Sequence, residues 1–240
     1  MLSPLPQYGR RKHTIPPFDT LTAPFRLGAH MSQDDPATSP KAPLTPASLE
    51  HASRDVLVPG ATALVSQARA EADHDALSML GALRRILLMR NERPALALTL
   101  KAQGELAGTL GQFTLAADAF DTEWGVRELL DQPFKAHRAR LDRAEALFFA
   151  GLVDDATRAL RQAQKPARDL ALGGQVHEAS IQLADTLARL AGVLRAEQQG
   201  EEADLWLEGA LEIAPDAETR AMVAATPGRF TTASAGQRTL

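Results

Sequence analysis

The chain contains no cysteine among its 240 residues. Disulfide bonds, thiolate metal sites and a cysteine nucleophile are therefore excluded. Aromatic residues make up only 5% of the chain, with a single tyrosine. No apolar run approaches the roughly 18 residues that a membrane-spanning helix needs. The net charge of −4 gives no overall reason to expect nucleic acid or an anionic membrane as a partner, and we predict neither.

Sequence patterns for catalysis are missing as well. The six histidines include no pair at helical ligand spacing, and there is neither a glycine-rich phosphate loop after a strand nor a nucleophile elbow. We therefore predict that the protein is not an enzyme and that it uses no cofactor and no metal ion. An enzyme that uses His137 with Arg138 or Glu145 stays as a third alternative. His137 lies on an apolar stripe, where a core-edge histidine is the usual role.

Proline is concentrated near the N-terminus. Nine of the fifteen prolines precede residue 47, and the segment around them has almost no helical period. Such a segment cannot bury enough apolar surface to offset the entropy of ordering, so we predict disorder over residues 1–57. The sequence GRRK at residues 9–12 is similar to the start of a twin-arginine export signal, but prolines interrupt the place of its apolar stretch. We expect a cytoplasmic protein.

From about residue 60 onward, leucines and alanines recur at the three- and four-residue spacing of one helical face. The clearest stretch spans residues 187–215, where Gly200 separates two helices and Pro215 closes the second. Glycine suits a reversal because it takes positive φ freely, and proline cannot continue a helix. We predict four helix pairs and a capping helix, near residues 60–72 and 74–90, 94–110 and 113–125, 134–150 and 153–165, 169 or 174–198 and 201–213, and 216–225.

The predicted fold is all-α, an antiparallel helix-pair solenoid over residues 58–225. Asp73 is placed to cap one helix, and Asp154 and Asp155 are favourable at the N-terminus of another. The tail over residues 226–240 has no helical period, so we expect it to be flexible. Alanines at equivalent positions of the second helices are 40, 40 and 47 residues apart: Ala76, Ala116, Ala156 and Ala203.

The order of small and large residues in these pairs resembles the tetratricopeptide repeat. The clearest copy consists of Leu190, Leu194, Ala203, Leu207, Ala210, Leu211 and Pro215. A second copy consists of Leu100, Gly104, Gly111, Phe113, Ala116 and Phe120. Partial copies contain Gly151, Ala156, Leu160 and Ala163, and Ala76, Leu80 and Leu83. The units are longer than the family's usual period of about 34 residues.

This resemblance implies a non-catalytic interaction or assembly scaffold that binds a segment of a partner protein in a helical groove. The first helix of each pair would line the groove, with the positions Lys101, Glu105, Arg138, Glu145, Asp185 and Arg195. Only Lys101 matches the positions with which the family grips a peptide's C-terminal carboxylate, so that mode is not expected. The alternative function is a ligand-responsive sensor domain that acts with a transcription or signalling partner on another chain.

Basic residues are concentrated between residues 135 and 168, where eight lysines and arginines accompany four acids. Four of them follow helical spacing and form a stripe: Arg158, Arg161, Lys165 and Arg168. The stripe is a candidate anion-binding site, because guanidinium groups bind carboxylate and phosphate well. A solvated helix face is the more usual role of such a run of charge. No aromatic residue is interleaved with the stripe, which disfavours nucleic acid.

Overall fold

Every regular element in the described residues is an α-helix. The structure, a computed structural model, describes residues 44–172 and 176–230, and this part of the chain contains no strand. Its helices are α1 (Pro46–Leu49), α2 (Arg54–Glu71), α3 (His74–Met89), α4 (Arg93–Thr109), α5 (Phe113–Leu129), α6 (Pro133–Phe149), α7 (Val153–Leu172), α8 (Val176–Ala196), α9 (Gly200–Ile213) and α10 (Ala217–Ala225). The predicted all-α fold is confirmed.

Consecutive helices from α2 to α9 pack side by side. Short turns join most of them, so neighbours run antiparallel. Alternate helices also touch, α2 with α4 and α6 with α8, and α10 packs on α8 and α9 at the end of the array. This arrangement confirms the predicted solenoid of helix pairs.

Leucines and alanines fill the space between the helices. Leu190 and Leu194 are fully buried, and Leu207 packs against the core. The four alanines that mark the second helices are buried as well. Where α4 crosses α5, Phe120 lies so close to Gly104 that an added Cβ would come within 2.6 Å of the ring. Small residues thus set the distance between the two helices of a pair.

A residue in the left-handed conformation follows each of the helices α3, α4, α5, α6 and α8. The five residues are Asn91, Gly111, Asp131, Gly151 and Gln198. In each turn, the N–H of the residue after the left-handed one donates a hydrogen bond to the carbonyl of the residue five positions earlier. Gln112, for example, donates to Ala107 at 2.8 Å. Gln198 therefore makes the reversal that we assigned to Gly200. That assignment is wrong because the end of α8 fixes where the left-handed residue falls, and Gly200 is already the first residue of α9.

The turns show why the repeat is long. From Asn91 to Gly151, the left-handed residues are spaced 20 residues apart, so a helix pair takes 40 residues. This period matches the first two alanine spacings. Helices α7 and α8 have 20 and 21 residues, against 17 in each of α4, α5 and α6. Their extra length accounts for the wider third spacing.

Part of the segment that we predicted to be disordered is helical. We placed disorder up to residue 57, whereas α1 begins at Pro46 and α2 at Arg54. Leu49 and Leu57 are buried, and the Leu49 side chain fills the space beside Gly60. Pro59 sits in the second turn of α2, where burial of these leucines offsets the one backbone hydrogen bond it removes. The disorder predicted for residues 1–43 lies outside the described residues.

The C-terminal segment also differs from the predicted flexible tail over residues 226–240. Residues 226–230 are described, and the Phe230 side chain is fully buried. Its ring packs on Gly192, where an added Cβ would overlap it, and against Phe148 and Phe149. The Phe230 side chain alone anchors this segment. A single buried residue has no helical periodicity, so the sequence pattern does not indicate it. Residues 231–240 lie outside the described part of the chain.

Other expected boundaries agree with the structure. Asp73 caps α3 by accepting a hydrogen bond from the Ala76 N–H at 2.8 Å. Asp154 and Asp155 lie in the first turn of α7. Of the two starts that we left open for the long eighth helix, the later one fits, because α7 continues to Leu172. Among the helices that the structure describes, none combines the length and the apolar composition of a membrane-spanning segment.

Candidate functional site

The candidate site is a cleft of about 430 Å³ between α4 and α6. Side chains of α5 form its floor, and Arg189 of α8 and Arg229 of the C-terminal segment close one end. The cleft therefore lies on the side of the solenoid where the first helices of the second, third and fourth pairs meet. One end of it is apolar and the other is charged.

The apolar end is aromatic. The rings of Phe113 and Phe149 lie at opposite sides of the α5–α6 contact with centroids 5.3 Å apart and planes inclined by 33°. Both side chains are half-buried, and with Phe120 they line the cleft. Half-buried aromatic rings of this kind provide a large apolar area for a ligand at a small entropic cost.

Small residues on α4 keep the cleft open. Gly104 and Gly108 lie one helical turn apart on the wall that faces α6. A Cβ at Gly104 would collide with Phe120, whereas a Cβ at Gly108 would meet no atom within 4 Å. Gly104 is therefore needed for packing, while Gly108 leaves empty volume in the cleft itself. A bulky side chain at Gly108 would fill the cleft without touching the core.

The charged end is built around Arg189, whose side chain is only 1% exposed. Its guanidinium contacts Glu145 at 2.6 Å, Asp185 at 3.2 Å and Asp142 at 3.3 Å. It also donates to the Leu141 carbonyl at 3.2 Å. Burial alone would lower the pKa of Arg189, but the three carboxylates outweigh this effect and raise it. Arg189 is thus a fixed cation that joins α8 to α6.

A second arginine covers this group from the outside. Arg138 contacts Asp142 at 3.2 Å and Asp185 at 2.9 Å, and so bridges the same two helices. Arg229 lies 3.8 Å from Glu145. We call these six residues the Arg189 cluster: Arg138, Asp142, Glu145, Asp185, Arg189 and Arg229. Each of its three carboxylates contacts at least two of its arginines.

Five of the six groove positions that the sequence suggested lie in or next to this cleft. Glu105, Arg138 and Glu145 line it, and Asp185 belongs to the Arg189 cluster. Lys101 lies beside the cleft, with its Nζ 3.7 Å from Glu105, which also contacts Arg69 at 3.0 Å. Arg195 is elsewhere, paired with Asp204 of α9 at 2.5 Å.

Several cleft residues were missed by the sequence reasoning. They are Gly108, Phe149, Asp142, Arg189 and Arg229. Two of them carried a local signal, because Arg138 with Asp142 and Asp185 with Arg189 have the four-residue spacing of helical ion pairs. The contact between Arg189 and Glu145 spans 44 residues of sequence, and no local pattern indicates it.

The proposed basic stripe is exposed on α7. Arg158 pairs with Asp155 of its own helix at 2.7 Å, and Arg161 pairs with Glu202 of α9 at 3.0 Å. In the part of the chain that the structure describes, Lys165 and Arg168 lie within 4 Å of no carboxylate. Neighbouring acids thus neutralise half of the stripe, so the structure does not gather its four charges around one site.

His137 is buried between α6 and α8. Its Nε2 lies 3.0 Å from the Thr186 hydroxyl, and no described residue bonds its Nδ1. Burial, together with the nearby charge of Arg140, lowers its pKa to about 4. His177 is not its neighbour and instead lies 3.6 Å from Asp216. His137 is therefore a neutral core histidine, and it is not among the residues that line the cleft.

A larger opening of about 650 Å³ lies beside His137, between the α5–α6 turn and α7. On α7 it is bounded by Pro166 and Asp169. The next side chains of the chain, at residues 170–175, lie outside the description. The cleft between α4 and α6 is the better candidate site, because it joins aromatic side chains to charged ones and contains three of the groove positions that the sequence suggested. Among the described residues, no three histidine, aspartate or glutamate side chains are grouped so that they could hold a metal ion.

No protein-family model matches this chain, and a search of curated proteins finds no similar protein.

Proposed function

We propose that the protein is a non-catalytic interaction module that binds a segment of a partner protein in the cleft between α4 and α6. The observation that carries this proposal is the composition of the cleft. It joins a half-buried aromatic surface to a row of fixed charges on rigid helices. Apolar anchors with a polar rim are the usual basis of segment recognition by helical surfaces.

We further propose that the helix pairs are a divergent tetratricopeptide-like array. Two features support this: the buried alanines of the second helices and the contact of Gly104 with Phe120. The turns recur every 40 residues, which is regular but longer than the family's period of about 34, and for this reason we call the array divergent. In such an array the first helices would provide the binding surface, as α4, α6 and α8 do for this cleft. The proposal places the module in the cytoplasm, as expected from the sequence.

The test is affinity purification with the full chain as bait, in an extract of the cells that make the protein. Three baits are compared: wild type, Gly108→Trp and Gly125→Trp. The first substitution fills the cleft. The second is the matched control, because Gly125 is an exposed helical glycine of α5 and an added Cβ there also meets no atom within 4 Å. Both substitutions remove a helical glycine, so neither is expected to weaken the fold.

We expect mass spectrometry to find one stoichiometric partner with the wild type and the control, and to lose it with Gly108→Trp. Circular dichroism melting curves of the three proteins verify that all are folded. A partner that Gly108→Trp captures as well as the wild type does would contradict binding in the cleft.

A further inference from the structure

The opening of about 650 Å³ between the α5–α6 turn and α7 is a second candidate binding site. Its volume lies within the usual range of roughly 300 to 1,000 Å³ for pockets that bury a ligand. Phe134 and Pro166 form apolar parts of its wall. None of the described residues that line this opening also lines the cleft between α4 and α6. The ligand of this opening is therefore a question separate from the proposed function.

The His137 side chain lines the opening, and only 2% of this residue is exposed. Its Nε2 lies 3.0 Å from the Thr186 hydroxyl, which donates its one proton to the Gln182 carbonyl at 2.7 Å. The hydroxyl oxygen therefore accepts a hydrogen bond from the Nε2–H of His137. Because burial lowers the pKa of His137 to about 4, the imidazole is neutral, and its Nδ1 is an acceptor without a proton. No described residue donates to this nitrogen, and a buried acceptor without a donor is destabilising.

Three carboxylates and one guanidinium also line the opening. Arg140 pairs with Glu128 at 2.6 Å, so these two charges cancel. The other two acids, Asp131 and Asp169, are exposed, and neither forms an ion pair with a described residue. The lining of the opening therefore has two negative charges without a cationic partner.

The neighbouring cations do not change this balance. Arg127 is buried, pairs with Glu123 at 3.0 Å and donates to Gln132 at 2.7 Å. Lys135 and Arg168 are adjacent in sequence to the lining, but they are not among the residues that form it. Neither of them pairs with a described carboxylate, so the two aspartates stay uncompensated. Charge and hydrogen bonding therefore both favour a cationic ligand that donates hydrogen bonds.

We infer that the opening binds a small organic cation in which an ammonium group and a second N–H group are joined by an apolar body. The ammonium group pairs with Asp131 and Asp169, and the second N–H donates to Nδ1 of His137. The apolar body packs against Phe134 and Pro166. A bare metal ion does not fit, because among the described residues no three such side chains are grouped closely enough to hold one.

The test is isothermal titration calorimetry of the full chain with four probes that share an indole ring. Tryptamine has both the ammonium group and an N–H donor. Tryptophol replaces the ammonium group by a hydroxyl, 1-methyltryptamine lacks the ring N–H, and indole-3-acetate has a negative charge. The probes therefore vary the charge and the donor separately while the apolar body stays nearly the same.

The probes are titrated into wild type and two double variants. Asp131→Asn with Asp169→Asn removes both free charges, and asparagine tolerates the left-handed conformation of residue 131. Glu208→Gln with Glu212→Gln is the matched control, because both glutamates are exposed on α9 and neither forms an ion pair with a described residue. Circular dichroism melting curves verify that both variants are folded.

We expect tryptamine to bind the wild type and the control equally, and about tenfold more weakly the variant without the two aspartates. Tryptophol, 1-methyltryptamine and indole-3-acetate should each bind the wild type at least about tenfold more weakly than tryptamine does. In spectra of protein with ¹⁵N-labelled histidine, tryptamine should shift the Nδ1 resonance of His137, whereas 1-methyltryptamine should not. The spectrum of His137→Gln assigns this resonance.

Three results would overturn the inference. They are no detectable binding of tryptamine at millimolar concentration, equal affinity for tryptamine and indole-3-acetate, and an affinity for tryptamine that the loss of both aspartates leaves unchanged. An Nδ1 resonance that tryptamine does not shift would disprove the hydrogen bond to His137. None of these outcomes bears on the cleft, which the Gly108→Trp bait tests independently.

Discussion

Arg189 is the residue on which the charged end of the cleft depends. Three carboxylates surround its buried guanidinium, and they belong to both α6 and α8. Burying such a group costs free energy that only complete pairing offsets. Arg189 therefore fixes the positions of the acids, and through them the positions of Arg138 and Arg229 at the surface.

Replacing Arg189 should be far more damaging than replacing an exposed arginine. We expect Arg189→Met to lower the free energy of unfolding by up to about 3–5 kcal/mol, because each of the three carboxylates loses one of its two arginines and one of them, Asp185, is buried. The control is Arg195→Met, which removes a surface pair with Asp204 and should cost at most about 1 kcal/mol. Urea unfolding followed by circular dichroism measures both. Equal losses for the two variants would show that the cluster has no special role.

Gly192 is predicted to be sensitive even to a single methyl group. We expect Gly192→Ala to destabilise the protein by about 1–3 kcal/mol, because the new Cβ would overlap the Phe230 ring. Gly209→Ala is the matched control, since a Cβ in that helix meets no atom within 4 Å and should be neutral or stabilising. In a Phe230→Ala background the cost of Gly192→Ala should disappear. An undiminished cost in the double variant would argue against this contact.

His137 should make stability depend on pH. Its pKa is lowered from 6.5 to about 4 in the folded protein, so the unfolded chain takes up the proton more readily. The stabilising contribution is complete above the unfolded pKa and is lost as the pH falls towards the folded one. Between about pH 7 and about pH 5 the loss is about 2 kcal/mol.

The variant His137→Gln lacks this titration. We therefore expect the difference in unfolding free energy between wild type and His137→Gln to shrink as the pH is lowered over that interval. The same substitution at the exposed His51 is the control. A difference that stays constant with pH would contradict a neutral buried imidazole between α6 and α8.

At the scale of elements, local signals were sufficient for the helices but not for their ends. Leucine and alanine periodicity located the bodies of α3 to α10, because each helix buries one face against its neighbours. The position of a turn depends on where the preceding helix makes its last hydrogen bonds. For this reason the left-handed residue after α8 is Gln198 and not Gly200. The predicted N-terminal boundary was wrong because it was based on the density of prolines and did not take into account the burial of Leu49 and Leu57.

The cleft could be predicted only in part, for a related reason. The resemblance to the tetratricopeptide repeat predicted several of its residues on α4 and α6, because the first helix of each pair lines the groove in that family. The Arg189 cluster and the Phe230 contacts join residues that are far apart in sequence, such as Arg189 and Glu145. Those contacts arise from the packing of α6 against α8 and of the C-terminal segment on both, which no single stretch of sequence encodes.

The N-terminal elements should contribute measurably to stability. A chain over residues 44–240 should be more stable than one over residues 58–240, because the shorter chain loses α1 and the start of α2. Each of the buried side chains Leu49 and Leu57 accounts for about 1.5–3 kcal/mol. Thermal melting of the two chains measures the difference, and Leu49→Ala in the longer chain should reproduce part of it. Identical melting curves would instead support the predicted boundary, with the folded domain beginning after residue 57.

At the scale of the whole molecule, the solenoid provides a rigid frame for one open surface. Helices α4, α6 and α8 each contribute side chains to the same cleft, and α5 supports it from below. Each of the helices α4, α5, α6 and α8 packs against the helix before it and the helix after it. We therefore expect the cleft to keep its shape without a ligand, which lowers the entropic cost of binding a segment. The proposed function places the bound segment of the partner in this cleft.

Site-specific photo-crosslinking in living cells shows whether a partner binds there. A benzophenone amino acid is placed at Thr109, which is exposed and lines the cleft, and in a parallel experiment at Gly125 on the outer face of α5. We predict that irradiation joins the Thr109 variant covalently to a partner protein and that the Gly125 variant yields no such product. Crosslinking from position 125 in preference to position 109 would contradict binding in the cleft.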